Sequence, residues 1–227
     1  MTESSSLHLA VIPDGNRRWA RTKGLLPWNG HERAIDNFQI LTDWCRKDPR
    51  ISVLTIWGFS TENWKRSNEE VAKLMQLFEQ YLLRERESFL KNGTRFVHSG
   101  RTDRIPQSLQ TLFADVAAET QHCTEFTMHL AVDYGGKDEI VRAIHKLPHP
   151  ASVTEADLRA HLDHPELPDI DLILRTSGEQ RTSNFFLWQS TYAEWFFIHK
   201  HFPELTPADL DAALQEFQRR TRRFGGG

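Results

Sequence analysis

Asp14 stands among three arginines, Arg17, Arg18 and Arg21, in the stretch HLAVIPDGNRRWAR at residues 8–21. Guanidinium forks match phosphate oxygens two at a time, so the arginines suit a phosphorylated ligand. A carboxylate in the same place repels that ligand unless a divalent cation such as Mg²⁺ stands between them. The set therefore points to a diphosphate together with a metal. Leu7, Leu9, Val11 and Ile12 form a short apolar run suited to a buried strand, and Pro13, Asp14, Gly15 and Asn16 stop it with a helix-starting turn. A loop that leaves a strand and opens a helix directs backbone N–H groups and the positive helix end outward, which favours an anion. The same residues also suit an ordinary strand–turn–helix with Asp14 as a cap and three solvated arginines.

Two later stretches carry the same kind of chemistry. Residues 59–66, FSTENWKR, follow a continuous apolar run at residues 51–59 and place Ser60, Thr61, Glu62, Asn63, Trp64 and Arg66 in one loop. Ligands of open α/β sheets bind at such strand ends. Residues 175–197 bring Arg175, Arg181, Thr182 and Ser183 into a glycine-containing turn that can clamp a second diphosphate, with Glu194 as a further hard oxygen ligand. His161 with His164, and His199 with His201, lack the accompanying ligands of a zinc site and read as surface or core histidines.

Together these stretches resemble the cis-prenyltransferases, the family that includes undecaprenyl diphosphate synthase. Asp14-Gly15-Asn16-x-Arg18-Trp19-Ala20 matches its first signature, and Phe59-Ser60-x-Glu62-Asn63-Trp64-x-Arg66 its second. Arg175-Thr176-x-Gly178-Glu179-x-Arg181-x-Ser183-Asn184-Phe185, followed by Trp188-Gln189 and Tyr192-x-Glu194, matches the third. The resemblance implies condensation of isopentenyl diphosphate with an allylic diphosphate such as farnesyl diphosphate. Asp14, Arg18 and His31 would hold the allylic diphosphate, and Arg175, Arg181 and Ser183 isopentenyl diphosphate. Asp14 and Glu194 would hold Mg²⁺, Asn63 would serve proton removal through a relay, and Trp64 and Arg66 would position substrate. Two positions depart from the pattern: Arg17 stands where glycine is frequent, and Pro27 where an arginine is common. Arg17 is thus a candidate to replace the lost cation. A homodimer is also implied, consistent with the aromatic-rich segment from Phe185 to Phe197.

Composition sets the frame. At 227 residues the chain suits one domain, 1–227, with tails at 1–6 and 225–227 expected to be disordered. A net charge of −3 gives no general drive toward nucleic acid, so any anion site is local. Cys45 and Cys123 stand in no metal or redox spacing, there is no signal-peptide pattern, and no apolar run is long enough to span a membrane. A cytoplasmic protein, with at most peripheral membrane contact, is the expectation. No Gly-Lys-Ser/Thr motif or dinucleotide fingerprint favours a phosphotransferase. A non-catalytic partner subunit could lose Asp14, Asn63, Arg175, Arg181 and Ser183, all of which are present.

The positioning elements alternate. Strands are expected near residues 7–12, 51–59, 94–99, 126–132, 171–175 and 194–199. Helices are expected from His31, over 68–91, 106–121 and 137–147, briefly after Thr154, and from Pro207 to Arg223, with residues 24–30 as a loop. This is an α/β domain with a mainly parallel six-stranded sheet. The resemblance adds the family's own fold, with an apolar tunnel. Leu74, Phe78 and Leu82 are candidate tunnel walls or plain core, Trp57 and Phe96 candidate floors, and Gly58 leaves space. The stretch between Arg66 and Thr94 shows neither insertion nor shortening against the family pattern, which implies a medium-length product such as undecaprenyl diphosphate.

Overall fold

Six runs rich in β-branched, leucine and aromatic residues become the strands β1 (Leu7–Ile12), β2 (Ile51–Ser60), β3 (Thr94–Ser99), β4 (Phe126–Tyr134), β5 (Leu172–Arg175) and β6 (Glu194–Phe197). The computed structural model describes residues 6–148 and 152–221. Residues 1–5 and 225–227 of the expected tails lie outside the described residues, as do His149, Pro150 and Arg223. The strands form one sheet in the order β3-β4-β2-β1-β5-β6, and every neighbouring pair is parallel.

Parallel neighbours require crossovers, and helices provide most of them. These are α1 (Asn16–Thr22), α2 (Pro27–Lys47), α3 (Asn68–Lys91), α4 (Gln107–Thr120), α5 (Gly136–Lys146), α6 (Glu155–Ala160) and α7 (Pro207–Arg219). Leu9, Val11, Leu54, Ile56, Met128 and Leu130 form one core with residues of α2, α3, α4 and α7. Ala10, Ile12, Trp57, Ala131 and Ile173 pack with Phe185 and Phe186 in a second. Burial on both faces explains why β2 reads as an unbroken apolar run. The chain builds from β1 toward β3 and only later crosses to β5 and β6, so the strand order reverses at β1. The crevice at such a reversal is the usual ligand site of an open α/β sheet.

Helix α2 begins four residues before the expected His31. Pro27 is pre-organised for a first helical turn, and the Asn29 side chain accepts the Leu26 N–H at 3.2 Å, so the expected loop is shorter. Gly30 then lets α2 meet the start of α1, since a Cβ there would lie 2.1 Å from the Asn16 carbonyl oxygen.

A polar chain crosses the buried sheet. His8 Nδ1 lies 2.8 Å from the Pro168 carbonyl, which places its proton there. Nε2 then accepts from Thr55 Oγ1 at 2.6 Å. Thr55 in turn accepts from His129 Nδ1 at 2.9 Å, and His129 Nε2 accepts from Ser99 Oγ at 2.7 Å. Burial lowers the His8 pKa from 6.5 to about 4, with the Pro168 hydrogen bond opposing it. The unfolded chain therefore binds a proton between those values that the folded chain does not, and stability falls as pH drops through that window. The size is roughly 3 kcal/mol for this one group. Urea midpoints measured from pH 7 to pH 4 should fall less steeply in His8→Gln than in the wild type; equal slopes would contradict the assignment.

Candidate active site

The carboxyl ends of β1, β2, β4 and β5 meet at one sheet edge, because Ile12 pairs with Arg175 and Ser60 with Tyr134. Asp14 follows β1 directly. Its Oδ1 accepts the Gly15 N–H at 2.7 Å and Arg18 Nη2 at 3.1 Å, and its Oδ2 accepts Arg175 Nη2 at 2.9 Å. Burial pushes the Asp14 carboxyl up, but the hydrogen bond and charge of Arg175, with Arg18 behind them, outweigh it and hold it below the usual range. It is a carboxylate at neutral pH. Gly15 makes this turn with φ of 95°, and a Cβ there would lie 1.9 Å from Ser177 Oγ, so glycine is required on both counts.

Arg175 is 4 % exposed and gathers the third signature around itself. Its Nη1 donates to Ser183 Oγ at 2.9 Å and to the Arg181 carbonyl. Ser177, Ser183 and Asn184 all hold positive φ, a left-handed backbone that non-glycine residues keep only under constraint from their surroundings. Glu179 ties Arg18 to Arg181: it accepts Arg18 Nη1 at 2.6 Å and pairs with Arg181 Nη1. The two arginines expected at different diphosphates are thus joined by one half-buried carboxylate.

Two spaces open here and share Pro13, Asp14, Asn16, His31 and Arg66. The first, of about 330 Å³, is polar and lined by Gly15, Arg17, Arg18 and Arg21. The second, of about 430 Å³, runs inward past Ser60, Glu62 and Asn63 to Ala34, Ile35, Phe38, Trp57, Gly58, Leu74 and Phe78. A charged mouth thus leads into an apolar interior between α2, α3 and β2. Leu82 and Phe96 are buried in the core and do not line this cavity, whereas Trp57 and Gly58 do.

The cavity mouth is organised by a residue the sequence reading missed. Glu70, 6 % exposed on α3, receives His31 Nε2 at 3.2 Å and Arg66 Nη1 at 3.1 Å, with Arg17 Nε at 3.8 Å. The His31 hydrogen bond, opposed by burial and aided by the Arg66 and Arg17 charges, holds the Glu70 carboxyl below its ordinary value. Gly135 was also missed, and Asn184 stands in the third signature with no role of its own. A Cβ on Gly135 would lie 2.7 Å from both Thr61 Oγ1 and Asn184 Nδ2, and Asn184 Nδ2 donates to Glu62 Oε1 at 3.1 Å. Glu70 sits three residues after the Ser67 cap of α3, a position that reads from sequence as a first-turn acid and nothing more.

Several expected site residues lie elsewhere. Glu194 opens β6 three residues before the carboxyl end shared with Arg175, and its Oε2 accepts Arg220 Nη1 at 2.9 Å. The parallel register sets it about 10 Å back along the strands from the Arg175 end, and its carboxylate pairs with Arg220 rather than with a residue of the Asp14 cleft. Trp19, Thr61, Trp64 and Thr182 line neither space. Thr61 packs against Gly135, and Trp64 turns back toward β4. Arg181 stands at the rim with its side chain 58 % exposed.

Among the described residues no group of three or more His, Cys, Asp or Glu could hold a metal ion. Mg²⁺ bound through substrate phosphates needs only one or two protein carboxylates. Asp14 meets this requirement, as an ionised carboxylate facing a cationic cleft.

The prenyltransferase family model for undecaprenyl diphosphate synthases matches residues 12–225. The chain belongs to that family. This prenyltransferase is 43% identical over 220 residues to an isoprenyl transferase of Wolinella succinogenes, covering 96% of each chain. It is 38% identical to the tritrans,polycis-undecaprenyl-diphosphate synthase (geranylgeranyl-diphosphate specific) of Thermococcus kodakarensis, covering 96% of this chain and 86% of that one. Its fold is similar to that of lavandulyl diphosphate synthase from Lavandula x intermedia in complex with dimethylallyl diphosphate. There the TM-score is 0.90 at 34% identity, and 98% of this chain and 99% of that one are covered. The prenyltransferase is thus an enzyme that transfers prenyl groups on a six-stranded parallel sheet.

Proposed function

We propose that this prenyltransferase condenses isopentenyl diphosphate with an allylic diphosphate, farnesyl diphosphate as primer, to a medium-chain Z-polyprenyl diphosphate of undecaprenyl length. The observation that carries the reading is the junction of the two spaces. A cationic cleft shares Asp14, Asn16, His31 and Arg66 with an apolar cavity, which suits a ligand with a diphosphate head and a hydrocarbon tail.

Arg18, His31 and the Gly15 and Asn16 backbone hold the allylic diphosphate with its tail in the cavity. Arg175, Arg181 and Ser183 hold isopentenyl diphosphate beside it. The allylic C–O bond breaks, its electron pair leaves with diphosphate, and the isopentenyl double bond forms the new C–C bond to the allylic carbon. A proton is then lost from isopentenyl C2, relayed through the Asn63 carboxamide, since a neutral amide is a poor base alone. Fixed cations facing the leaving group stabilise its developing charge without reorganisation. Asp14 would hold Mg²⁺, which when bound would supply further positive charge for the leaving group. Holding both diphosphates in line contributes much of the rate.

Arg181→Ala should raise the KM for isopentenyl diphosphate by about 10- to 100-fold, the worth of a charge-assisted hydrogen bond, and leave that for the allylic substrate nearly unchanged. Steady-state kinetics with each substrate varied in turn would show it, and the opposite order would reverse the two sites.

A shorter product is the second reading. It is favoured by Phe38 and Phe78, 3 % and 1 % exposed, which line an apolar space of about 430 Å³, the size of an ordinary small-molecule site. Incubation of farnesyl diphosphate with labelled isopentenyl diphosphate, with and without Mg²⁺, and chromatography of the dephosphorylated product separates them. No incorporation removes the proposal, and a product ending after one or two condensations establishes the shorter reading.

A homodimer is part of the proposal. Phe185 and Phe186 are consumed by the core, but Trp195, Phe196 and Phe197 remain half-buried on β6, an edge strand. Such an apolar edge suits a second copy of the chain. Among the described residues no helix is long and apolar enough to cross a membrane, so the proposed setting is cytoplasmic, with peripheral contact for product release.

A further inference from the structure

Asp133, next to last in β4, is fully buried and holds φ of 53°, a left-handed conformation that Asp and Asn tolerate better than most side chains. Its Oδ1 accepts Trp64 Nε1 at 2.8 Å, and its Oδ2 accepts Arg104 Nε at 2.8 Å. Arg104 Nη2 also donates to Oδ1, and the guanidinium carbon lies 5.6 Å from the Trp64 ring centroid. Phe59 meets the same indole edge-on, with centroids 5.2 Å apart. The loop bearing Arg104 is itself fastened to this point, because Arg101 N–H donates to the Asp133 carbonyl at 3.0 Å. Gly100 permits that approach, since a Cβ there would lie 2.1 Å from the Val132 carbonyl oxygen.

Trp64 belongs to the turn Thr61–Lys65, which carries Glu62 and Asn63 to the cavity. Asn63 Oδ1 accepts the N–H of Ser60, the last residue of β2, at 3.1 Å, a single bond at the entry of the turn that leaves its far side to other contacts. Those further contacts are the Glu62 bond to Asn184 and Trp64 held by Asp133 and Arg104. A buried carboxylate that accepts from an indole and a guanidinium at once is a costly arrangement for a plain core position, where apolar packing would serve. We propose that Asp133 is a positioning residue of the reaction: with Arg104 it clamps Trp64 and so sets Asn63 at the cavity. The inference rests on the reading of Asn63 as the proton relay.

Asp133→Asn separates this role from folding, since Asn tolerates the backbone and keeps an oxygen for Trp64 while its amide opposes the Arg104 Nε–H. Steady-state kinetics and ¹⁵N-indole NMR on the wild type, Asp133→Asn and Arg104→Gln form the test, with the Trp64 signal assigned by its loss in Trp64→Phe. In Asp133→Asn the Trp64 signal should shift and exchange faster with solvent. Its kcat should fall about tenfold, with the allylic KM within about twofold, because among the described residues the clamp's hydrogen bonds do not reach Asp14, Arg18 or His31. Arg104→Gln, altering a side chain 36 % exposed, should move both readouts the same way and serves if Asp133→Asn does not fold. Unchanged kcat with a displaced indole signal overturns the proposal, as do kcat and both KM values worsening in parallel. A wild-type chain that incorporates no isopentenyl diphosphate fails the underlying reading instead, and the indole signal, read without turnover, tells the two failures apart.

Discussion

Asp14→Ala should lower kcat by about three orders of magnitude while the chain still folds. Among the described residues the carboxylate is the one acid directly hydrogen-bonded to both Arg18 and Arg175, so its loss removes the proposed metal ligand and loosens the two cations at once. Loss of several kcal/mol of leaving-group stabilisation, at about 1.4 kcal/mol per factor of ten, corresponds to that fall. Folding survives because Arg175 keeps the Ser183 hydroxyl and the Arg181 carbonyl. The stability change should stay within about 1–3 kcal/mol, the cost of one unsatisfied buried donor. The pH dependence follows in sign. A carboxyl depressed below 3.8 in the folded chain contributes stability above that value and loses it only as pH falls through the lower folded pKa. Asp14→Asn should therefore differ from the wild type in activity across the neutral range, without any shift of the acid limb. Near-native circular dichroism combined with intact turnover would falsify the metal-placing role.

Gly58→Leu should stop elongation after one or two condensations. A Cβ at position 58 alone would lie 2.8 Å from Phe78 Cε1 and 3.4 Å from Leu130 Cδ1, and the glycine lines the apolar cavity. The added side chain must either push Phe78 aside or occupy the space the growing hydrocarbon needs. The Asp14 cleft lies at the mouth, away from this change, so the first condensation should keep its rate within about threefold while the product distribution shortens. Chromatography of dephosphorylated products from the two enzymes side by side measures this. An unaltered distribution would mean that the hydrocarbon does not pass Gly58, and the assignment of this cavity as the tunnel would be wrong.

Much of the molecule was legible before any coordinates. The strand and helix over residues 94–99 and 68–91 fall where the apolar periodicity put them, because a buried strand and a one-sided helix leave local patterns of fixed period. The start of α2 is not legible in the sequence, since a loop proline and a first helical proline look alike and only the Asn29 bond to Leu26 separates them at Pro27. The cavity lining is only partly legible for a related reason. Leu74, Phe78 and Leu82 share one face of α3, and only the packing of α2 and β2 against that face separates the two that line the cavity from the one that fills the core.

Residue type and spacing by themselves point to a diphosphate site. Asp14 with its arginines, and Arg175 with Arg181 and Ser183, are local sets whose charges and geometry need no fold to be read. What they could not determine is which distant residues complete them. Glu70 joins His31 from 39 positions away, Asp133 reaches Trp64 across 69, and Asn184 meets Glu62 across 122. Glu194, by contrast, is near Arg175 in sequence and faces another way in space. Only the tertiary structure decides these, because long-range contacts are set by strand order and register rather than by any pattern within the segments they join.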